Sequence, residues 1–143
     1  MRILVVNDTQ EILETFRAVL ETEGYEVVLS SFPINRMQEI LQIAPDMIIL
    51  DLLFGGEKQG WQMLQLLKMH RETASIPIIL CTAAVNATRE MEGYLVSKEV
   101  FVVYKPFDID DLLTTISSAF KSHKHVSSHI DQEAHFKQEK QAD

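Results

Sequence analysis

Five short apolar runs recur at intervals along the first 104 residues of the chain. They are rich in valine and isoleucine, and most of them do not alternate with polar residues. The runs cover residues 3–6, 25–29, 47–50, 76–80 and 100–104. Continuous apolar runs of this length are typical of strands that are buried on both faces, as in a parallel sheet. The pattern therefore predicts a five-stranded parallel sheet.

Between and after these runs, apolar residues recur at the 3.6-residue spacing of amphipathic helices. The first helical segment ends before Gly24, which suits the position just after a helix C-terminus. In the second segment we expect Pro33 in the first helical turn, where its missing N–H has no partner to lose. Gly93 interrupts the fourth segment, residues 86–96, and Asp108 is expected to cap the fifth helix. The apolar positions that define the helices include Ile12, Leu13, Phe16, Val19, Leu20, Ile34, Met37, Ile40, Leu41, Trp61, Met63, Leu64, Leu67, Leu112, Leu113, Ile116, Ala119 and Phe120.

Alternating strands and helices predict right-handed crossovers that place helices on both faces of the sheet. Five such units match the α/β flavodoxin-like doubly wound fold, a (βα)5 three-layer sandwich with parallel strand order 2-1-3-4-5. We expect this domain to cover residues 1–121. Residues 122–143 have few apolar positions and carry four of the five histidines, so a disordered tail is expected there.

The composition fits one globular domain, with 143 residues of which 46% are hydrophobic. The net charge is −8, and lysine and arginine do not cluster as a nucleic-acid-binding surface requires, so direct nucleic-acid binding is disfavoured. Cys81 is the single cysteine and is expected to be an unreactive packing residue. No basic-then-apolar leader and no apolar run of about 18 residues is present. We therefore expect a cytoplasmic location without membrane insertion.

Polar residues lie at the carboxyl ends of four of the five predicted strands. Asn7 and Asp8 end the first strand, Asp51 the third, Thr82 the fourth and Lys105 the fifth. Ligands of open α/β sheets bind beyond these strand ends, so we expect the five side chains to converge. Two carboxylates can hold Mg²⁺, and one of them can attack phosphorus. A hydroxyl and an ammonium group can then stabilise the phosphoryl oxygens, so the set predicts phosphoryl transfer.

Each of these residues also has a simpler interpretation when it is taken alone. Asp8 could cap the first helix, with Glu11 three residues later completing a capping box. Asp51 and Thr82 could be ordinary strand-end residues, and Lys105 a solvated charge beside a turn. Four such coincidences at one edge of one sheet are less probable than a shared site.

Four segments of the chain resemble the response-regulator receiver domain of two-component signal transduction. They are ILVVND at residues 3–8, MIILDL at 47–52, IILCTA at 78–83 and YKPF at 104–107. Any one of them is a weak signal, but the four occur in order, and each of them closes a predicted apolar strand. The resemblance extends from residue 1 to about residue 120.

The resemblance implies that Asp51 is the phosphoacceptor and that Mg²⁺ is the cofactor. Asp8, Asp51 and the backbone carbonyl of Leu53 would bind the metal directly. Asn7 stands where the family usually has a second acidic residue, and it would contact the metal through water. The loss of one negative charge at this position is expected to weaken Mg²⁺ binding.

The same resemblance implies roles for residues on the last two strands. Thr82 would hydrogen-bond the phosphoryl group, and Lys105 would pair with the acceptor carboxylate and later with the phosphate. The peptide bond before Pro106 would be cis. Val102 occupies the position that often holds a switch aromatic, and the loop over residues 53–60 looks one residue longer than usual. An aromatic gate is therefore in doubt in this chain.

Two regulatory functions follow from the resemblance. The first is a stand-alone phosphoacceptor in a phosphorelay, which takes its phosphoryl group from a histidine kinase or phosphotransfer protein and acts on a downstream protein or as a homodimer. The second is a degenerate receiver that binds proteins constitutively without phosphorylation. Apart from catalysing its own phosphorylation and dephosphorylation, the protein is not expected to be an enzyme. A haloacid-dehalogenase-type phosphatase needs an acid at the position of Leu53, and a nucleotide-binding enzyme needs a glycine-rich turn after the first strand. This sequence has neither feature, so both enzyme classes are disfavoured.

Overall fold

A computed structural model of the chain describes residues 1–52 and 59–122. The strands are β1 (Arg2–Val6), β2 (Glu26–Ser30), β3 (Met47–Asp51), β4 (Ile78–Thr82) and β5 (Val100–Tyr104). The helices are α1 (Gln10–Thr22), α2 (Met37–Ile43), α3 (Gln59–Met69), α4 (Arg71–Ala74), α5 (Val85–Glu90), α6 (Glu92–Ser97) and α7 (residues 109–122). Leu53, the remaining residues of the predicted longer loop up to 58, and the predicted tail after residue 122 lie outside the described residues.

All strand pairs of the sheet are parallel, and their order is β2-β1-β3-β4-β5. This confirms the predicted doubly wound fold. The chain leaves β1 toward β2 on one side and later returns to place β3 on the other side. The carboxyl ends of β1 and β3 therefore flank the switch point, which is where ligands bind in open α/β sheets.

The alternation of side chains along the central strands divides the core into two layers. Even-numbered residues such as Leu4 and Ile48 pack with α2, α3 and α6, whereas odd-numbered residues such as Ile49 pack with α1 and α7. β3 and β4 are buried along their whole length. Burial on both faces explains why these two strands are uninterrupted apolar runs in the sequence. Among residues 1–52 and 59–122, no helix has the length and apolar character needed to cross a bilayer.

Two helix boundaries were predicted correctly because local hydrogen bonds determine them. Gly24 follows α1 with a φ of 89°, and its N–H donates to the carbonyl oxygen of Glu21 at 3.0 Å. Asp108 precedes α7, and its Oδ1 accepts a hydrogen bond from the backbone N–H of Asp111 at 2.7 Å. Both interactions span three residues, so a short stretch of sequence is enough to specify them.

The predicted start of the second helix at Pro33 is wrong. α2 begins at Met37, and Arg36 is its N-cap residue. Ile34 is buried in the core, and its backbone N–H donates to the sulfur of Met63 at 3.4 Å. This packing against α3 holds residues 33–36 outside the helix. A contact between residues 29 positions apart thus outweighs the local preference of proline for the first turn of a helix.

The predicted start of the fourth strand and the predicted break in the fourth helical segment also differ from the structure. β4 begins at Ile78, because the N–H of Ile76 donates to the carbonyl of Thr73 at 3.0 Å and Pro77 has no N–H for the sheet. The intervening α4 has no counterpart in the sequence predictions. In the fourth helical segment Gly93 lies inside α6, and the break occurs at Met91, between α5 and α6.

Lys68 is a buried cation at the end of the sheet that carries the strand N-termini. Its Nζ donates to the carbonyl oxygens of Ala74 at 3.0 Å and Ile76 at 3.3 Å, and it thereby ties α3 to the segment that leads into β4. Burial lowers the pKa of Lys68 to about 8; Glu99 acts in the opposite direction, and Lys98 adds to the lowering.

The stability of the fold should therefore depend on pH through Lys68. The unfolded chain keeps the Lys68 proton up to about pH 10.5, whereas the folded protein releases it near pH 8, so the cost of burying the charge disappears between these values. The free energy of unfolding of the parent minus that of Lys68→Met should rise across this window. Urea unfolding at several pH values measures this difference. The exposed Lys121→Met is the control, and a difference that is flat or falling for Lys68 contradicts the prediction.

Candidate functional site

Side chains from three strand ends meet at one carboxyl group. Asp51 is the last residue of β3 and is 8% exposed. The Nζ of Lys105, which follows β5, lies 3.4 Å from Asp51 Oδ2. The Nδ2 of Asn7, which follows β1, lies 3.4 Å from the same oxygen. The structure thus brings together three residues that are 44 and 54 positions apart in the sequence.

Lys105 is held in place by the backbone around it. Its N–H donates to the carbonyl oxygen of Thr82 at 2.8 Å, which extends the pairing of β4 with β5 by one residue. The peptide bond that follows, Lys105–Pro106, is cis. The side chain of Lys105 is 27% exposed and that of Asp51 is 10% exposed. The ion pair therefore sits at a mouth that solvent reaches from the lysine side, while the carboxylate is largely enclosed.

Asn7 and Asp8 lead from β1 into α1. Asn7 is 2% exposed, and its Oδ1 accepts a hydrogen bond from the backbone N–H of Thr9 at 2.9 Å. Asp8 is exposed, and its Oδ1 accepts a hydrogen bond from the Thr9 hydroxyl at 3.3 Å. Thr9 is the N-cap residue of α1, so the alternative interpretation of Asp8 as the helix cap is wrong.

Thr82 is 1% exposed at the end of β4. Its Oγ1 accepts a hydrogen bond from the backbone N–H of Ala84 at 2.9 Å, which fixes the turn into α5. A hydroxyl has one hydrogen and two lone pairs, and this bond uses a lone pair. The hydrogen of the Thr82 hydroxyl can therefore still donate to an oxygen anion at the mouth of the sheet.

The donor set at this edge fits a magnesium ion. Mg²⁺ is usually held by one or two carboxylates, and water and phosphate oxygens complete its octahedron. Asp51 and Asp8 can supply those two carboxylates. No cluster of three or more histidine, cysteine, aspartate or glutamate side chains occurs in the part of the chain that the structure describes. An ion here would therefore take several ligands from water or from a bound phosphoryl group.

Cys81 lies on β4 directly beside Asp51 in the sheet register. Burial raises the pKa of the Cys81 thiol to about 12; Lys105 acts to lower it, and Asp51 adds to the increase. The thiol therefore stays protonated at physiological pH and is a poor nucleophile. This agrees with the prediction that Cys81 is a packing residue.

Val102, at which the resemblance led us to expect an aromatic residue, lies on β5. It lines a surface groove of about 380 Å³ together with Leu95, Val96 and Tyr104. The groove lies between β5 and the helices α5 and α6. Tyr104 is 38% exposed at the same surface.

Sequence reasoning missed Gly60, which allows α3 to pack against the end of β3. A Cβ atom at Gly60 would overlap the carbonyl oxygen of Asp51 and would lie 2.7 Å from that of Leu52. Only a glycine permits this approach, so Gly60 positions the backbone of the residue at the centre of the site. The sequence feature that could have pointed to this role is the place of Gly60 in the first turn of an apolar helical segment.

Comparisons with known proteins agree with this geometry. Residues 3–117 match the response regulator receiver domain. The chain is 28% identical over 120 residues to the DNA-binding dual master transcriptional regulator RpaA of Synechocystis sp., and the match covers 84% of this chain and 49% of RpaA. It is 28% identical over 117 residues to the protein PilH of Pseudomonas aeruginosa, covering 82% of this chain and 95% of PilH. The chain therefore spans about half the length of regulators such as RpaA and nearly all of PilH.

A solved structure shows the same fold. The CheY-like response regulator receiver domain protein from Methanospirillum hungatei superposes with a TM-score of 0.72 at 24% identity. The superposition covers 87% of this chain and 96% of that protein.

Proposed function

Because the chain belongs to the response regulator receiver family, we propose that it accepts a phosphoryl group on Asp51 and signals through altered protein contacts. The observation that carries this proposal is the enclosed Asp51 carboxylate with the Lys105 ammonium 3.4 Å from its Oδ2. An ionised carboxylate can attack phosphorus, and an adjacent cation can stabilise the charge on the phosphoryl oxygens.

In the proposed reaction, a carboxylate oxygen of Asp51 forms a bond to phosphorus while the bond from phosphorus to the donor group breaks. Lys105 neutralises charge on the transferred group, and the Thr82 hydroxyl donates to one of its oxygens. Asp8 and Asp51 would hold Mg²⁺, with the Leu53 carbonyl and a water on Asn7 as further ligands. When it is bound, the ion supplies additional positive charge next to the phosphoryl oxygens.

The proposed phosphoryl donor is a histidine kinase or a phosphotransfer protein, because these supply receivers of two-component systems. The proposed output is a change in binding to a downstream protein or to a second copy of the chain. The net charge of −8 and the absence of a lysine and arginine cluster in the sequence do not favour contact with nucleic acid. We therefore propose protein contacts rather than DNA binding as the output.

Asn7 favours a second candidate function, which is a degenerate receiver. Its amide nitrogen, rather than an acidic oxygen, faces Asp51. If this substitution prevented cation binding altogether, the domain would bind its partners without being phosphorylated. The ion pair of Asp51 with Lys105 and the retained Thr82 and Asp8 favour phosphorylation instead.

Labelling with a small phosphodonor separates the two functions. The protein is incubated with acetyl phosphate in Mg²⁺ or in EDTA, and the intact mass is then measured. We expect a gain of one phosphoryl group, mapped to Asp51, in Mg²⁺ only. No gain with acetyl phosphate or with a phosphohistidine donor would contradict phosphorylation and favour the degenerate receiver.

A further inference from the structure

The orientation of the Asn7 side-chain amide is determined by its neighbours. The backbone N–H of Thr9 lies 2.9 Å from one end of the amide, and a backbone N–H can only donate. The oxygen of the amide must therefore face Thr9, and the nitrogen must face Asp51. With 2% of the residue exposed, there is little room for the amide to turn over.

The Oδ2 of Asp51 consequently accepts hydrogen bonds from the amide of Asn7 and from the ammonium of Lys105, each at 3.4 Å. Both donors belong to the protein itself. The formal charges of Asp8, Asp51 and Lys105 add up to −1. An aspartate in place of Asn7 would make this sum −2 and would direct a carboxylate at the carboxylate of Asp51.

We propose that Asn7 is a positioning residue that holds the Asp51 carboxylate in place without a divalent cation and lowers the affinity of the site for such a cation. This inference rests on the proposed function, in which Asp8 and Asp51 bind the ion. A cation that binds through Asp51 Oδ2 must compete with the Asn7 amide for that oxygen. It also meets one negative charge fewer than it would with an acid at this position.

The comparison with Asn7→Asp follows from Coulomb's law. A second carboxylate beside Asp51 repels it when no cation is bound, and it attracts a dication when one is present. At separations of about 4 Å these effects are large enough to change cation affinity about tenfold or more. The variant should therefore require the cation for stability, whereas the parent should not.

The test uses Mn²⁺ as a spectroscopic and calorimetric probe of the magnesium site. Affinity is measured by titration calorimetry for the parent, for Asn7→Asp and for Asn35→Asp, which adds the same charge at an exposed position. We expect Asn7→Asp to bind Mn²⁺ about tenfold or more tightly than the parent, and Asn35→Asp to stay within about threefold. Asn7→Glu, which carries the same charge, replaces Asn7→Asp if that variant does not fold with or without the cation.

Thermal unfolding in EDTA and in Mg²⁺ separates this role from a merely structural defect, which would lower the midpoint equally in both conditions. The midpoint of Asn7→Asp should fall below that of the parent in EDTA, and it should rise more than the parent midpoint when Mg²⁺ is added. Equal Mn²⁺ affinities, or a midpoint of the variant that ignores Mg²⁺, would overturn the role of Asn7. Neither result affects the labelling of Asp51 in the parent, which tests the proposed function separately.

Discussion

Replacing Asp51 by asparagine is expected to abolish phosphorylation by acetyl phosphate. The amide has nearly the same shape as the carboxylate but is not a nucleophile toward phosphorus. The rate should therefore fall by at least about three orders of magnitude, as it does when a covalent nucleophile is removed from an active site. The side chain of Lys105 is 27% exposed and can turn toward solvent, so the variant should remain folded. Intact mass measured over time reports the rate, and circular dichroism reports the fold.

The matched control for this experiment is Asp108→Asn. Asp108 follows the cis peptide bond and caps α7 through the N–H of Asp111. Asparagine is as good an N-cap as aspartate, so this variant should keep both its stability and its rate of phosphorylation. An adduct that persists in Asp51→Asn would place the acceptor on another side chain, such as Asp8.

Replacing Gly60 by alanine is expected to destabilise the protein by about 3 kcal/mol or more. The added methyl group would overlap the Asp51 carbonyl oxygen and press on that of Leu52. Both atoms belong to the backbone at the end of the central strand β3, so neither can move without shifting β3 or α3. For a domain of this size the thermal midpoint should fall by about 10 °C. The rate of phosphorylation should also fall, because the displaced residue is the proposed acceptor.

Gly93→Ala is the control for the effect of adding a methyl group to a helical glycine. Apart from its chain neighbours and the backbone of its own helix, no described atom lies within 4 Å of a Cβ at Gly93, which is inside α6. Alanine is favoured over glycine in a helix, so this variant should be unchanged or more stable by up to about 1 kcal/mol. Similar losses of stability in the two variants would show that the contact of Gly60 with β3 is not the cause.

Interactions within a few residues were the ones that could be predicted from the sequence. The apolar run over residues 47–50 became the core of β3, because a strand buried on both faces tolerates hardly any polar side chain. Gly24 and Asp108 end and begin helices through hydrogen bonds over three positions. The strand order followed in turn, because parallel strands joined by right-handed crossovers leave few arrangements.

Contacts between distant segments explain where the predictions failed. Pro33 signals a helix start, but the segment that contains it is held by the bond from Ile34 to Met63. The strand β4 begins two residues later than expected, because α4 takes the N–H of Ile76. A local propensity contributes less than about 1 kcal/mol per ordinary residue, so tertiary packing readily overrides it.

In the candidate site, too, some features could be predicted from the sequence and others depend on contacts between distant segments. The order of strand ends in the sequence was sufficient to place Asn7, Asp51 and Lys105 at one edge of the sheet, because parallel strands present their carboxyl ends together. Only the tertiary structure decided that the nitrogen of the Asn7 amide lies 3.4 Å from Asp51 Oδ2. The orientation of the amide is local, because its oxygen accepts from the Thr9 N–H two residues away, but the nitrogen meets Asp51 only because β3 lies alongside β1. The tertiary structure also revealed that the residue at position 60 must be a glycine, because a Cβ there would meet backbone atoms at the end of β3.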